Sequence, residues 1–315
     1  MSAEQRGRVG VLVMAYGTPA SPADVERYYT DIRRGRAPTP ELLAELRERY
    51  EAIGGISPLL QITRAQVAGI GAALEEAHPG RFVVALGQKH TAPFIEDGAA
   101  ELLALGVERI VGLVLAPHFS TMSIAQYAER AIAAVDGRVP VDVVRSWHLE
   151  PGYLDLLAGY VTDALADVGG QEGCEVLFTA HSLPQRILEA GDPYPEQLAQ
   201  TAAALAARAG VERWSVAWQS AGRTADPWIG PDVLDVLRER AAGGTRAVVV
   251  CACGFVADHL EVLYDLDIEA RGVADELGLA FARTRSPNAD PTFTRMLAGV
   301  ALAQAGLGAR EAAAR

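Results

Sequence analysis

Short apolar runs alternate along this chain with longer segments whose apolar residues recur at helical spacing, and the alternation occurs twice. The first half carries strand-like runs at Val9–Ala15, Phe82–Leu86, Arg109–Ala116 and Val139–Ser146. The second carries them at Glu175–Ala180, Arg213–Trp218, Arg246–Cys253 and Leu277–Arg283. Runs this rich in apolar and β-branched residues belong to parallel strands covered on both faces. Amphipathic helix patterns cover Ala23–Arg33, Pro40–Tyr50, Thr63–Ala77, Glu96–Leu105 and Glu196–Ala209, and the chain from Pro291 onward reads as one closing helix. Asp31–Pro40 and Ile53–Pro58 contain the glycines and prolines of loops. Strands alternating with helix-length segments imply βαβ units. The expected fold is therefore α/β, with two halves, each a four-stranded parallel sheet flanked by helices, related by a pseudo-two-fold repeat. The expected domains are residues 1–148 with the C-terminal helix 290–315, and residues 149–289, with a ligand cleft between them.

Ligand sites in open parallel sheets form at the carboxyl ends of strands. Two such ends concentrate chemistry here: Thr179-Ala-His181-Ser-Leu-Pro184, and Gly254-Phe-Val-Ala-Asp258-His259-Leu-Glu261 running on to Asp265 and Glu269. On a helix beginning near Asp258, Glu261, Asp265 and Glu269 form one row of carboxylates. Like charges in a row destabilise a helix, whereas a divalent cation is well served by hard oxygen donors beside a histidine. His259 falls off that row by its spacing and reads as a helix-packing residue. His90 and His118 follow strand-like runs and read as structural or supporting residues. The repeat also aligns Ala15-Tyr16-Gly-Thr-Pro19 with Ala180-His181-Ser-Leu-Pro184. If the halves face each other, Tyr16 and His181 approach a flat ligand from opposite sides.

Composition narrows the partners. A net charge of -12 disfavours nucleic acid and anionic membranes. No apolar run is long enough to span a bilayer and no apolar leader precedes Val9, so a cytoplasmic protein without membrane insertion is expected. Neither G-x-G-x-x-G nor a P-loop occurs, which argues against nucleotide binding. Three cysteines, Cys174, Cys251 and Cys253, fall short of the four thiolates an iron–sulfur cluster uses. Cys251 and Cys253 sit in a run that reads as a buried strand, where their side chains would share a face. Arg33-Arg34-x-Arg36 is a basic cluster in an acidic chain, and arginine suits bidentate carboxylate recognition.

Several motifs together resemble the ferrochelatase family. They are Val13-Met-Ala-Tyr16-Gly-Thr-Pro19, Tyr28-Tyr-Thr-Asp-Ile-Arg33-Arg-Gly-Arg36, Arg49-Tyr-Glu-Ala-Ile-Gly-Gly-Ile-Ser57-Pro, Ala116-Pro-His-Phe-Ser-Thr121, Thr179-Ala-His181-Ser-Leu-Pro184 and Gly254-Phe-Val-Ala-Asp-His-Leu-Glu261. The resemblance is nearest to the soluble, monofunctional Gram-positive branch, the coproporphyrin ferrochelatases. It implies insertion of Fe²⁺ into coproporphyrin III, giving coproheme for haem biosynthesis, in a cleft between two Rossmann-like halves. It also implies that His181 and Glu261 are catalytic and handle Fe²⁺, that Tyr16 is the axial ligand of the product iron, and that Arg33, Arg49, Tyr50, Ser57 and Tyr127 contact the macrocycle or its propionates. Asp265 and Glu269 resemble an outer metal site on the ion's entry route. Fe²⁺ is then a substrate, and no resident cofactor is required. The expected partners are the porphyrin, the metal and, transiently, neighbouring haem-pathway enzymes, and the expected state is a monomer. Membrane docking and a [2Fe–2S] cluster are not expected. The alternatives are a protoporphyrin IX ferrochelatase, a chelatase for another tetrapyrrole, and a haem or porphyrin carrier without chemistry.

Overall fold

The computed structural model describes residues 7–307 apart from Arg223 and Ala225. Two compact units are present. The first comprises residues up to Ala116, Met122–Trp147 and the segment from Asn288 onward, and the second comprises Pro117–Thr121 and His148–Pro287.

In the first unit, β1 (Val9–Ala15), β2 (Phe82–Gln88), β3 (Arg109–Val114) and β4 (Val141–Val143) form a sheet in the order β2-β1-β3-β4, parallel throughout. Its helices are α1 (Val25–Ile32), α2 (Pro40–Ala52), α3 (Leu59–Ala77), α4 (Ile95–Ala104) and α5 (Ile124–Val135). The second unit repeats the plan. Its helices and strands begin with α6 (Pro151–Asp167), β5 (Cys174–His181), α7 (Arg186–Glu189), α8 (Tyr194–Ala209), β6 (Trp214–Gln219), α9 (Val233–Ala242) and β7 (Ala247–Cys251). They continue with α10 (Leu260–Tyr264), a π-helix (Asp265–Ala270), α11 (Arg271–Glu276) and β8 (Ala280–Arg283). The strand order is β6-β5-β7-β8, again all parallel. The closing helix α12 (Pro291–Gln304) packs against α3 in the first unit. The sequence pattern carried it to residue 315; it stops at Gln304, before Gly306 with φ 68°, and residues 308–315 lie outside the described residues.

Both central strands, β1 and β5, are buried along almost their whole length, which is why they read as continuous apolar runs. Around β5 and β7 the second core gathers Leu177, Val248, Val250, Val262 and Leu266, all essentially inaccessible. Each such side chain contributes roughly 1.5–3 kcal/mol relative to an exposed one. The run through Cys253 breaks earlier than its apolar pattern implied. β7 ends at Cys251, the Cys253 N–H turns back onto the Cys251 carbonyl at 2.8 Å, and Gly254 N–H crosses to Thr179 O at 2.9 Å. A Cβ at position 254 would lie 2.3 Å from the Ala180 Cβ, so only glycine lets the chain leave β7 against the end of β5. Among the described residues, no helix is long and apolar enough to cross a membrane.

Candidate active site

In the second unit, the carboxyl end of β5 delivers His181 and the turn after β7 delivers His259 and Glu261. His181 Nε2 lies 3.5 Å from Glu261 Oε1, and His259 Nε2 lies 3.6 Å from Glu261 Oε2. The other nitrogens face main-chain carbonyls: His181 Nδ1 is paired with Ser182 O, and His259 Nδ1 with Ala257 O at 2.9 Å. A carbonyl can only accept, so each Nδ1 carries a proton, and Nε2 is the ring nitrogen that faces the carboxylate. Burial disfavours charging His181, but the Glu261 charge and hydrogen bond, the Ser182 carbonyl and Asp265 outweigh it and raise its pKa. Burial pushes Glu261 the other way, and the two histidines overcome that, holding its carboxyl well below the usual range. Both partners of the first pair keep 34% of their side-chain surface accessible, so the site is open to reactants. Trp228 stands beside the His181 ring at 6.4 Å between centroids.

His259 was expected to pack against a helix, and the structure corrects this. The helix begins at Leu260, and His259 is its N-cap in extended conformation (φ -157°, ψ 179°), so helical spacing does not govern its direction. A cap position directly before a carboxylate-bearing first turn was the available signal.

Asp265 and Glu269 follow on the π-helix, a wider turn that often accompanies functional sites. Asp265 is buried and accepts the Ser220 hydroxyl, whose residue adopts φ 59°, while Glu269 is half-buried. Gln219, just before Ser220, donates to the Glu261 carbonyl at 3.2 Å and accepts the Thr179 hydroxyl at 2.8 Å. The far side of the π-helix is held by Arg283, whose Nε and Nη2 reach the two Asp267 oxygens at 2.7 and 2.8 Å. The same guanidinium donates to Asp258 at 3.3 Å. One buried cation therefore grips both ends of the stretch that carries His259, Glu261 and Asp265.

In the first unit, Tyr16 follows β1 and is 43% exposed, its ring edge-on to His90 at 4.5 Å. His90 Nδ1 contacts Asp31 at 2.6 Å. Beside it, Lys89 donates to Gln126 at 2.6 Å and lies 5.2 Å from the centre of the Tyr127 ring. Burial, then Arg130 and Arg34, lower the Lys89 pKa to about 8. Arg33 is half-buried and its Nε is buried with no hydrogen-bond partner. Arg49, at the end of α2, is half-buried. Tyr50, Ser57 and Tyr127 are buried, with the Tyr50 hydroxyl 3.5 Å from Thr18 Oγ1. Lys89 and His90 were not singled out as site residues from the sequence; a lone lysine within an arginine-only chain was the signal.

Residues 8–305 match the sequence model of ferrochelatase. The chain belongs to the ferrochelatase family. It is 47% identical over 304 residues to the coproporphyrin III ferrochelatase of Bacillus pumilus, covering 95% of this chain and 97% of that one. Against the Bacillus subtilis coproporphyrin III ferrochelatase it is 46% identical over 307 residues, covering 96% and 99%. The solved sirohydrochlorin chelatase SirB from Bacillus subtilis subspecies spizizenii, in complex with cobalt, shares the fold. Its TM-score is 0.57 at 10% identity, over 95% of this chain and 96% of that one. Among the described residues, no three His, Cys, Asp or Glu side chains are assembled into a ready metal cage. Two imidazole nitrogens, His181 Nε2 and His259 Nε2, stand about 3.5 Å from the two oxygens of one carboxylate.

Proposed function

We propose that this chain inserts Fe²⁺ into coproporphyrin III to give Fe-coproporphyrin III. The observation that carries the reading is His181 Nε2 set 3.5 Å from Glu261, in a ferrochelatase-family chain 46–47% identical to coproporphyrin III ferrochelatases. Insertion forms four Fe–N bonds and releases the two pyrrole N–H protons, so it needs a proton acceptor and a donor that delivers the ion. In this reading His181 and Glu261 fill those roles, the Nε2 and the carboxylate each taking up one of the two released protons. Asp265 and Glu269 lead the ion inward along the π-helix. Tyr16, exposed and a hard oxygen donor, ligates the iron of the product. Arg33 and Arg49 meet propionates, while Tyr50, Ser57 and Tyr127 shape the wall against the macrocycle. The unpartnered Nε of Arg33 supports that assignment, since a buried guanidinium nitrogen is costly to leave unsatisfied. No resident cofactor enters this scheme.

Coproporphyrin III carries four propionates and protoporphyrin IX two. One or two additional charge-assisted contacts, at about 1.5–3 kcal/mol each, favour the former by about ten-fold or more. The test is an anaerobic assay with Fe²⁺ and each porphyrin in turn, following loss of free-base absorbance. Faster kcat/KM on coproporphyrin III is expected. A clear preference for protoporphyrin IX overturns the substrate assignment, and binding without metal-dependent spectral change overturns the enzyme reading in favour of a carrier.

A further inference from the structure

The main chain of His181 is held by a side chain that the reaction itself does not call for. Tyr194, the first residue of α8, donates its hydroxyl to the His181 carbonyl at 3.0 Å. Its ring is buried and packs on Trp218 (5.6 Å) and His118 (6.0 Å). Burial raises its pKa far above the usual phenol range, so the hydroxyl remains a donor throughout the working range of pH.

Tyr194 is itself anchored. Its N–H donates to Asp192 Oδ1 at 3.0 Å, and Asp192 Oδ2 accepts from Ser120 Oγ (3.0 Å), Thr121 N (2.7 Å) and Thr121 Oγ1 (2.6 Å). Four donors on one buried carboxylate make a rigid joint, because each bond restricts the same group. Two further bonds fix the same short segment to α8: Phe119 N–H to Gln197 Oε1 at 2.7 Å, and His118 Nε2 with Thr201 Oγ1 at 2.9 Å. Burial, then His148, lower the His118 pKa to about 3, so this contact is between neutral groups. Residues 117–121 follow β3 in the chain, yet by contacts they belong to the second unit, and these bonds are the reason.

We propose that Tyr194 and Asp192 are positioning residues for metal insertion: Asp192 pins Tyr194 to the Ser120–Thr121 backbone, and the Tyr194 hydroxyl fixes the end of β5 so that His181 Nε2 stays against Glu261. The contact at 3.5 Å leaves little tolerance, and a displacement of about 1 Å at a reacting group costs on the order of 100-fold in rate. The inference rests on the chelatase reading above.

The test is Tyr194→Phe in the full chain, which keeps the ring and its packing and deletes one donor. The expected result is a kcat for Fe²⁺ insertion lower by roughly ten-fold and a higher KM for Fe²⁺, with porphyrin Kd changed by less than about two-fold. In a Glu261→Gln background the same substitution should cost less than about two-fold, since the partner it serves is gone. Thr121→Val, remote from His181 and removing one bond from Asp192, should shift kcat and Fe²⁺ KM the same way by less. Equal fold-losses in both backgrounds, or unchanged kcat and Fe²⁺ KM in Tyr194→Phe, would overturn the positioning role. If the unmodified enzyme consumes no porphyrin, the chelatase reading fails first and takes this inference with it.

Discussion

His181 Nε2 and Glu261 Oε1 stand 3.5 Å apart, with the opposite nitrogen of the imidazole committed to the Ser182 carbonyl. One proton can pass between them without either side chain moving far. His181→Ala should therefore abolish insertion while leaving porphyrin affinity within several-fold of the native protein. Glu261→Gln preserves shape but removes charge and basicity, and should slow insertion by about 10²–10⁴-fold. Anaerobic turnover and porphyrin fluorescence quenching measure the two quantities separately; near-normal turnover in either variant removes that residue from the mechanism.

Asp265→Asn and Glu269→Gln should act more mildly, chiefly by raising the Fe²⁺ concentration needed for half-maximal rate. Asp265 is engaged by Ser220 and both residues lie one or two turns beyond Glu261. Losses in kcat as deep as that of Glu261→Gln would replace the entry route by one compact site.

Tyr16→Phe should retain much of the insertion activity and change the visible spectrum of the bound iron product. The Tyr16 side chain is 43% exposed and its ring stands edge-on to His90. An unchanged product spectrum would exclude axial ligation.

Asp267→Asn should destabilise the protein by about 1.5–3 kcal/mol, because it discharges the main partner of a buried guanidinium. Arg283 has 12% of its side chain accessible and retains Asp258, so the loss stays below that of an unpaired buried charge. Urea unfolding at neutral pH measures it, and a change under about 0.5 kcal/mol would show the clamp to be energetically idle.

Lys89 provides a pH dependence. Its folded pKa of about 8 lies below the free value of about 10.4, so between these limits the unfolded chain binds the extra proton. Stability attributable to Lys89 therefore rises as pH goes from 8 to 10, and is lost as pH falls through 8. Lys89→Met should flatten that rise relative to the native protein. Parallel stability–pH curves for the two proteins over this window would contradict the lowered pKa.

By itself the sequence determined the parallel strands, their two-fold recurrence and the strand ends where polar residues gather. Those features are local: β1 and β5 are covered on both faces, so burial writes itself into every consecutive residue. Glu261, Asp265 and Glu269 share one α-helical spacing in the sequence, but the α-helix ends at Tyr264 and Asp265–Ala270 is a π-helix, so that period does not set their directions. The tertiary structure decided what spacing cannot encode. His259 points at Glu261 because an extended cap residue precedes α10, not because of any helical period. The chain leaves β7 at Cys251, two residues before the apolar run ends, because Gly254 must clear Ala180. Residues 117–121 join the second unit through Asp192, Gln197 and Thr201, partners 71 to 83 positions away. Contacts across such separations depend on where the sheet brings two loops together, and no periodicity along the chain carries that information.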